Sequence, residues 1–125
     1  MNKVFATWDE AELFARSVSE NAEGVSGVYG VPRGGLCLAV MVSHALGVPI
    51  LAAPDDHALI IDDVIDTGAA LLKEHNRGRK IAALYRKEGA AFSPDYYLKT
   101  VASDCWVVFP WEVENESRGI MRECS

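Results

Sequence analysis

The chain has 125 residues, half of them hydrophobic, and a formal charge of −6 at pH 7. That length supports one compact core and is short for two, so residues 1–125 are expected to form a single domain. The acidic balance argues against general nucleic-acid binding, which needs basic surface against phosphate backbones. The apolar run Leu36–Val42 falls far short of the roughly 20 residues that cross a bilayer.

In chain order, Thr7-Trp8-Asp9-Glu10 has the S/T-x-x-E form of a capping box. Ala11, Phe14, Ala15 and Val18 then recur at helical spacing, which predicts a helix to about Glu20. Ser26–Val31 is short, rich in Val and Tyr and bounded by glycines, as a buried strand would be; Pro32-Arg33-Gly34-Gly35 breaks it. Leu36–Leu46 reads as a second helix stopped by Gly47 and then Pro49. Pro49–Leu51 is a brief strand, and Ala58–Ile61, apolar at every position, is another. Gly68–His75 fits a third helix, Lys80–Tyr85 a strand, and Trp106–Phe109 a last strand before Pro110. This alternation predicts an α/β fold with a mostly parallel sheet flanked by helices.

In such sheets ligands bind beyond the carboxyl ends of the strands. Segments 32–35 and 62–70, Arg86-Lys87 and Trp111-Glu112 all fall at predicted strand ends. A helix starting near Gly68 would leave the N–H groups of residues 67–71 open to a phosphate, with glycine allowing close approach. Asp66 or Thr67 could equally just cap that helix. Asp62 and Asp63 are adjacent on a strand, so their carboxylates face different ways. They suit sugar hydroxyls or Mg²⁺, a hard cation that prefers oxygen, or they are a solvated strand end. Arg33 with Gly34 and Gly35 offers a fork of donors and open backbone to a second anion, although Pro-Arg-Gly-Gly is also an ordinary turn. Lys87 can donate to a carbonyl and Trp106 can stack on a flat ring; a surface lysine and a core tryptophan are the plain alternatives.

Other signals are negative. Cys37, Cys105 and Cys124 suit neither a disulfide framework nor a zinc site, which points to a reducing cytoplasm. Met1–Val4 holds one lysine and no apolar h-region, so no signal peptide is expected. His44, His57 and His75 lack ligand spacing, and no P-loop, G-x-S-x-G or G-x-G-x-x-G pattern occurs.

Four stretches, "TWDEAELFARSVS", "VPRGGLCLAVMVSHALGVPI", "ALIIDDVIDTGAAL" and "CWVVFPWE", resemble in the same order the type I phosphoribosyltransferases, which bind phosphoribosyl pyrophosphate (PRPP). Within them the likeness is to the bacterial xanthine-guanine branch. The D-D-x-x-D-T-G element is specific to the family, and the W-x-x-x-P-W-[DE] ending points to its purine subgroup.

The resemblance implies an enzyme that transfers phosphoribosyl from PRPP to guanine, xanthine or hypoxanthine. It implies that Arg33 and the Gly34 backbone bind pyrophosphate. Asp62 and Asp63 would hold the ribose hydroxyls and Mg²⁺, with Asp63 and Glu112 near the metal. Asp66, Thr67, Gly68, Ala69, Ala70 and Leu71 would cradle the 5′-phosphate, and Asp66 would exchange a proton with N7 of the purine. Lys87 would donate to the 6-oxo group, Trp106 stack on the base, and the Val107 backbone read its 2-substituent. A homodimer or tetramer is implied as well.

Two departures stand out. Ala70 replaces the hydroxyl residue usual in the family, which removes one contact to the 5′-phosphate. The family's long flexible loop is also missing: only Ile50–Ala58, nine residues, separates Pro49 from Leu59. Its absence would leave the site open to water. Two other functions stay open on these grounds, a non-catalytic PRPP or nucleotide sensor and a phosphoribosyltransferase for another base.

Overall fold

A computed structural model describes residues 2–112 of the chain. The first strand, β1 (Lys3–Phe5), leads into α1 (Trp8–Asn21), and β2 (Gly27–Gly30) into α2 (Leu36–Leu46). Next come β3 (Ala58–Ile65), α3 (Leu72–Asn76), β4 (Lys80–Lys87), β5 (Tyr96–Val101) and β6 (Trp106–Val108). The fold is α/β with parallel sheets. β2, β3, β4 and β5 lie side by side in that order, all parallel, and β1 pairs with β6 in a separate parallel ribbon.

The first helix forms where its capping box predicts. The Glu10 N–H donates to Thr7 Oγ1 and the Thr7 N–H to Glu10 Oε1, both at 3.0 Å, so two otherwise orphaned donors are satisfied reciprocally. Its buried face is Ala11, Phe14, Ala15 and Val18, the residues that recur at helical spacing. The second helix ends at Gly47 with φ 69°, a left-handed stop that glycine takes without a Cβ penalty.

α1 and α2 cover one face of the four-stranded sheet, burying Val28, Leu59, Ile61, Ala82 and Leu84 together with Val107 and Phe109 of the second ribbon's end. The other face carries Ile60, Ile65, Ile81 and Ala83. Leu71, Leu72 and Phe92 pack there, so a helix supplies little of that layer. Part of it, Ala90 and Phe92, comes from residues 88–95, which carry the chain from the end of β4 back to the start of β5. Asp95 closes this return: its N–H donates to the Ile81 carbonyl and its Oδ2 accepts the Ile81 N–H.

Several boundaries differ from expectation. The strand expected at Ala58–Ile61 continues through both acids to Ile65, pairing Asp62 with Ala83 and Val64 with Tyr85. The strand expected at Lys80–Tyr85 runs on to Lys87. Pro49–Leu51 contributes only a bridge, Ile50 to Val28, before the chain turns away. The helix expected over Gly68–His75 is reduced to Leu72–Asn76, because Gly68 has φ 86°, outside the helical region. β1 and β5 were not expected at all. Cys124 lies outside the described residues. No helix among the described residues is long and apolar enough to cross a membrane.

Candidate functional site

Parallel pairing brings the ends of β2, β3 and β4 to one edge, and three loops meet there. The first, residues 32–35, leaves β2 and enters α2. The Val31 N–H donates to the Ile61 carbonyl and the Gly35 N–H to the Val31 carbonyl, both at 2.8 Å, which folds the loop tightly over β3. The Pro32–Arg33 peptide is cis. The Arg33 side chain is exposed while Gly34 and Gly35 are buried. Gly35 precedes α2 as its N-cap, with no side-chain cap, and although the Leu36 N–H donates to the Arg33 carbonyl, the rest of the first turn presents backbone donors beside Arg33.

Both glycines are required by proximity. A Cβ on Gly34 would lie 2.6 Å from the carboxyl carbon of Asp63. One on Gly35 would meet the Ile61 carbonyl and stand 3.0 Å from the Asp62 Cα. Asp63 is 2% exposed and its Oδ1 accepts the Val64 N–H at 2.7 Å. The two acids therefore part as strand alternation requires. Asp63 is sealed under the 32–35 loop, whereas Asp62, half-buried, lines an open cleft.

That shallow cleft is lined by Asp62, Asp66, Thr67, Gly68, Ala70 and Leu71 together with Val64 and Ile65. Its wall is a loop and not a helix end, which corrects the expectation for residues 67–71. Thr67 Oγ1 accepts the Ala69 N–H at 3.2 Å and the Thr67 carbonyl accepts the Ala91 N–H at 2.8 Å. Gly68 sits against the 88–95 return: a Cβ there would be 3.1 Å from the Ala91 nitrogen and 3.2 Å from the Phe92 ring. The return segment, which no sequence signal marked, thus braces the loop from behind. The only hint was that Gly89-Ala90-Ala91 is small enough for close approach.

Lys87, the last residue of β4, is 5% exposed. Its Nζ lies 3.2 Å from Asp66 Oδ1, so adjacent strand ends bring the two together. Two residues earlier Tyr85 is buried and donates to Glu10 Oε1 at 2.8 Å. Burial, and then this carboxylate, push the Tyr85 hydroxyl well above its ordinary pKa.

Trp106 and Val107 belong to the β1–β6 ribbon. The Trp106 N–H donates to the Asn2 carbonyl at 2.7 Å. Its indole Nε1 is buried without a hydrogen-bond partner among the described residues. Val107 is buried. Phe109 joins the ribbon to the main sheet, 6.1 Å from the Tyr85 ring and stacked on Trp111 at 5.2 Å. Glu112 Oε1 accepts the Phe109 N–H at 2.9 Å, which folds the 109–112 turn back on itself. No group of three or more His, Cys, Asp or Glu among the described residues could hold a metal by itself.

No protein-family model matches the chain. It is 28% identical to xanthine-guanine phosphoribosyltransferase of Vibrio atlanticus, covering 89% of this chain and 90% of that protein. It is 29% identical to the same enzyme of Gluconobacter oxydans, with 85% and 82% covered. The first alignment takes 138 positions, more than the 125 residues present, so the relative carries insertions. Among solved structures, the purine phosphoribosyltransferase of Pyrococcus horikoshii superposes with a TM-score of 0.74 and 32% identity, covering 92% of this chain and 97% of that one.

Proposed function

The chain belongs to the purine phosphoribosyltransferase family, and we propose that it transfers 5-phosphoribosyl from PRPP to guanine, xanthine or hypoxanthine. The products are the nucleoside monophosphate and pyrophosphate. The observation that carries this reading is the Lys87–Asp66 pair at 3.2 Å, set beside a cleft lined by Asp66, Thr67, Gly68, Ala70 and Leu71. A donor for a ring carbonyl and a carboxylate for a ring nitrogen, fixed side by side, match two neighbouring positions of a 6-oxopurine.

In this reading the Arg33 guanidinium and the uncapped first turn of α2 hold the pyrophosphate, which must be steadied as it leaves. The loop 66–71 takes the 5′-phosphate through its backbone N–H groups, so Ala70 in place of a hydroxyl residue weakens this contact without removing it. Asp62 accepts from the ribose hydroxyls. Asp66 faces N7 and takes up its proton as the new bond forms, Lys87 donates to the 6-oxo group, and Trp106 stacks on the base while the Val107 backbone meets its 2-substituent. Glu112 stays near the exocyclic edge.

The donor set fits Mg²⁺ delivered with the substrate. Magnesium takes one or two carboxylates and completes its shell from phosphate and water; Asp62 faces the cleft where the substrate would bring the ion, Asp63 lies sealed beneath the 32–35 loop, and no closed protein cage exists among the described residues. Bound there, the ion would neutralise charge on the departing pyrophosphate.

Self-association and a cytoplasmic setting complete the proposal. Leu36 and Val40, one turn apart on α2, are exposed, as is Ile50, an apolar surface that a second copy would cover. Cys37 and Cys105 carry thiols and no disulfide, which suits a reducing compartment.

The test is incubation with PRPP, Mg²⁺ and each purine base, followed by chromatography for the nucleotide. Absence of nucleotide from every base would sink the proposal. The short connection before β3 favours one competitor, a PRPP sensor without turnover; calorimetric binding with no product would select it. Asp66→Asn separates purine from other acceptors, since only a base that sheds a proton at N7 depends on that carboxylate.

A further inference from the structure

The connection that precedes β3 is pinned at the end of the sheet opposite the cleft. On one side it is held at β2, where the Val28 N–H donates to the Pro49 carbonyl and the Leu51 N–H to the Val28 carbonyl at 2.9 and 2.7 Å. On the other it is held just before the strands begin. Asp55 Oδ1 accepts the His57 N–H at 2.9 Å and the Ser26 hydroxyl at 3.1 Å, and the His57 carbonyl accepts the Ser26 N–H at 2.9 Å. The first of these bonds, aided by the Ser26 hydroxyl, holds the Asp55 carboxyl below its ordinary pKa. Arg79 adds a clamp, with Asp56 at 3.3 Å and Glu74 at 2.6 Å. Ser26, His57 and Arg79 each stand next to the first residue of β2, β3 or β4.

Only Ala52, Ala53 and Pro54 lie between the two sets of anchors. Four steps of extended chain from Leu51 to Asp55 reach roughly 14 Å. The cleft is at the far end of the eight-residue β3, roughly 25 Å away at a strand's rise per residue. This connection is therefore unable to fold over the cleft. The Asp66 side chain beside it retains 27% of its surface exposed.

Resting on the transfer reading above, we propose that the same site also hydrolyses PRPP, using water as the acceptor in place of the purine. A purine enzyme must keep water from C1 of the ribose while the pyrophosphate leaves, because the electron-poor carbon accepts any nucleophile at hand. Among the described residues the Asp66 side chain, which would face the base, keeps 27% of its surface open to water. The water oxygen bonds to C1 as the C1–O bond to pyrophosphate breaks, and the electron pair departs with pyrophosphate. The proton shed by the water passes to the Asp66 carboxylate, which Lys87 holds in place, and from that partly exposed group to solvent. The products are ribose 5-phosphate and pyrophosphate in equal amounts, and nothing is oxidised or reduced.

Phosphorus NMR of the full chain with PRPP and Mg²⁺, with and without saturating guanine, tests this directly. Without base, PRPP should disappear roughly a hundredfold faster than in protein-free buffer, with ribose 5-phosphate and pyrophosphate rising together. With guanine, nucleotide should replace part of the ribose 5-phosphate. Asp66→Asn should slow the base-free reaction by roughly tenfold or more while PRPP still raises its melting temperature, which excludes a contaminating hydrolase. Nucleotide formation from guanine together with PRPP that is stable in the absence of base overturns the inference and leaves the transfer reading standing. Ribose 5-phosphate without any nucleotide upholds the inference and removes the transfer reading. No product in either arm removes both.

Discussion

Replacing Gly34 by alanine tests the tightest contact of the site. The new methyl would stand 2.6 Å from the carboxyl carbon of Asp63, well inside van der Waals contact, so something must move. The loop has little room, since even a methyl at Gly35 would run into the Ile61 carbonyl. The carboxylate must therefore swing, giving up its 2.7 Å bond from the Val64 N–H. Losing a charge-assisted hydrogen bond at a buried group costs roughly 1.5–3 kcal/mol, or about 5–12 °C in melting temperature for a chain of this size. The KM for PRPP should rise roughly tenfold, because a displaced 32–35 loop misplaces Arg33. Thermal denaturation by circular dichroism and initial rates against PRPP measure both. Asp63→Ala provides the control: in that background Gly34→Ala should cost less than half as much, the signature of coupled neighbours. Equal costs in the two backgrounds, or a single variant that melts and binds like the parent, would refute the steric argument.

Other outcomes follow from the same geometry. Tyr85→Phe deletes the hydroxyl that donates to Glu10 at 2.8 Å and should destabilise by roughly 1 kcal/mol, read from urea unfolding. Because the folded-state pKa of Tyr85 is raised, its contribution is complete below the ordinary tyrosine value and declines as pH rises above it; the parent should lose stability in alkali more steeply than Tyr85→Phe. Chelation by EDTA should abolish nucleotide formation and excess Mg²⁺ should restore it, with the melting temperature of the PRPP-free protein unchanged, since no protein cage depends on the ion. Adenine presents a 6-amino donor to an ammonium that can only donate, so its kcat/KM should fall below that of hypoxanthine by roughly 10²–10⁴. Lys87→Gln, which can also accept, should narrow that ratio in competition assays.

Local signals in the sequence were legible where the chemistry is local. Thr7 with Glu10 marks the start of α1, and Gly47 marks the end of α2, because caps act within one turn. The acid-rich segment named the cleft, since alternation alone sends Asp62 and Asp63 opposite ways. Its limits were misread for a physical reason. Two acids interrupt the apolar run, yet the backbone goes on pairing with β4 through Ile65, and hydropathy does not see backbone bonds. Gly68 looked like a helix start because a positive φ leaves no trace in composition. β1 has three residues whose partners stand a hundred positions away in β6, and β5 is a half-exposed edge strand; neither carries a period strong enough to stand alone. Likewise no pattern could tell that Asp63 packs under Gly34 or that Lys87 meets Asp66, since each contact depends on the register of parallel strands.

The Asp66–Lys87 pair links these separate features into one device. An ammonium has three donors and no acceptor. Lys87 can therefore keep its hold on Asp66 and still donate to the exocyclic 6-oxo oxygen of an incoming purine, so binding a base would not require breaking the pair. On the proposed reading the same hold would keep the carboxylate aimed at whatever nucleophile approaches the sugar, whether purine nitrogen or water oxygen. Selectivity between the two would then rest on occupancy: a stacked purine would displace water from a face that the pinned connection does not reach. In a site built this way, affinity for the base would do the work of a closing loop, and fidelity would rise with base concentration.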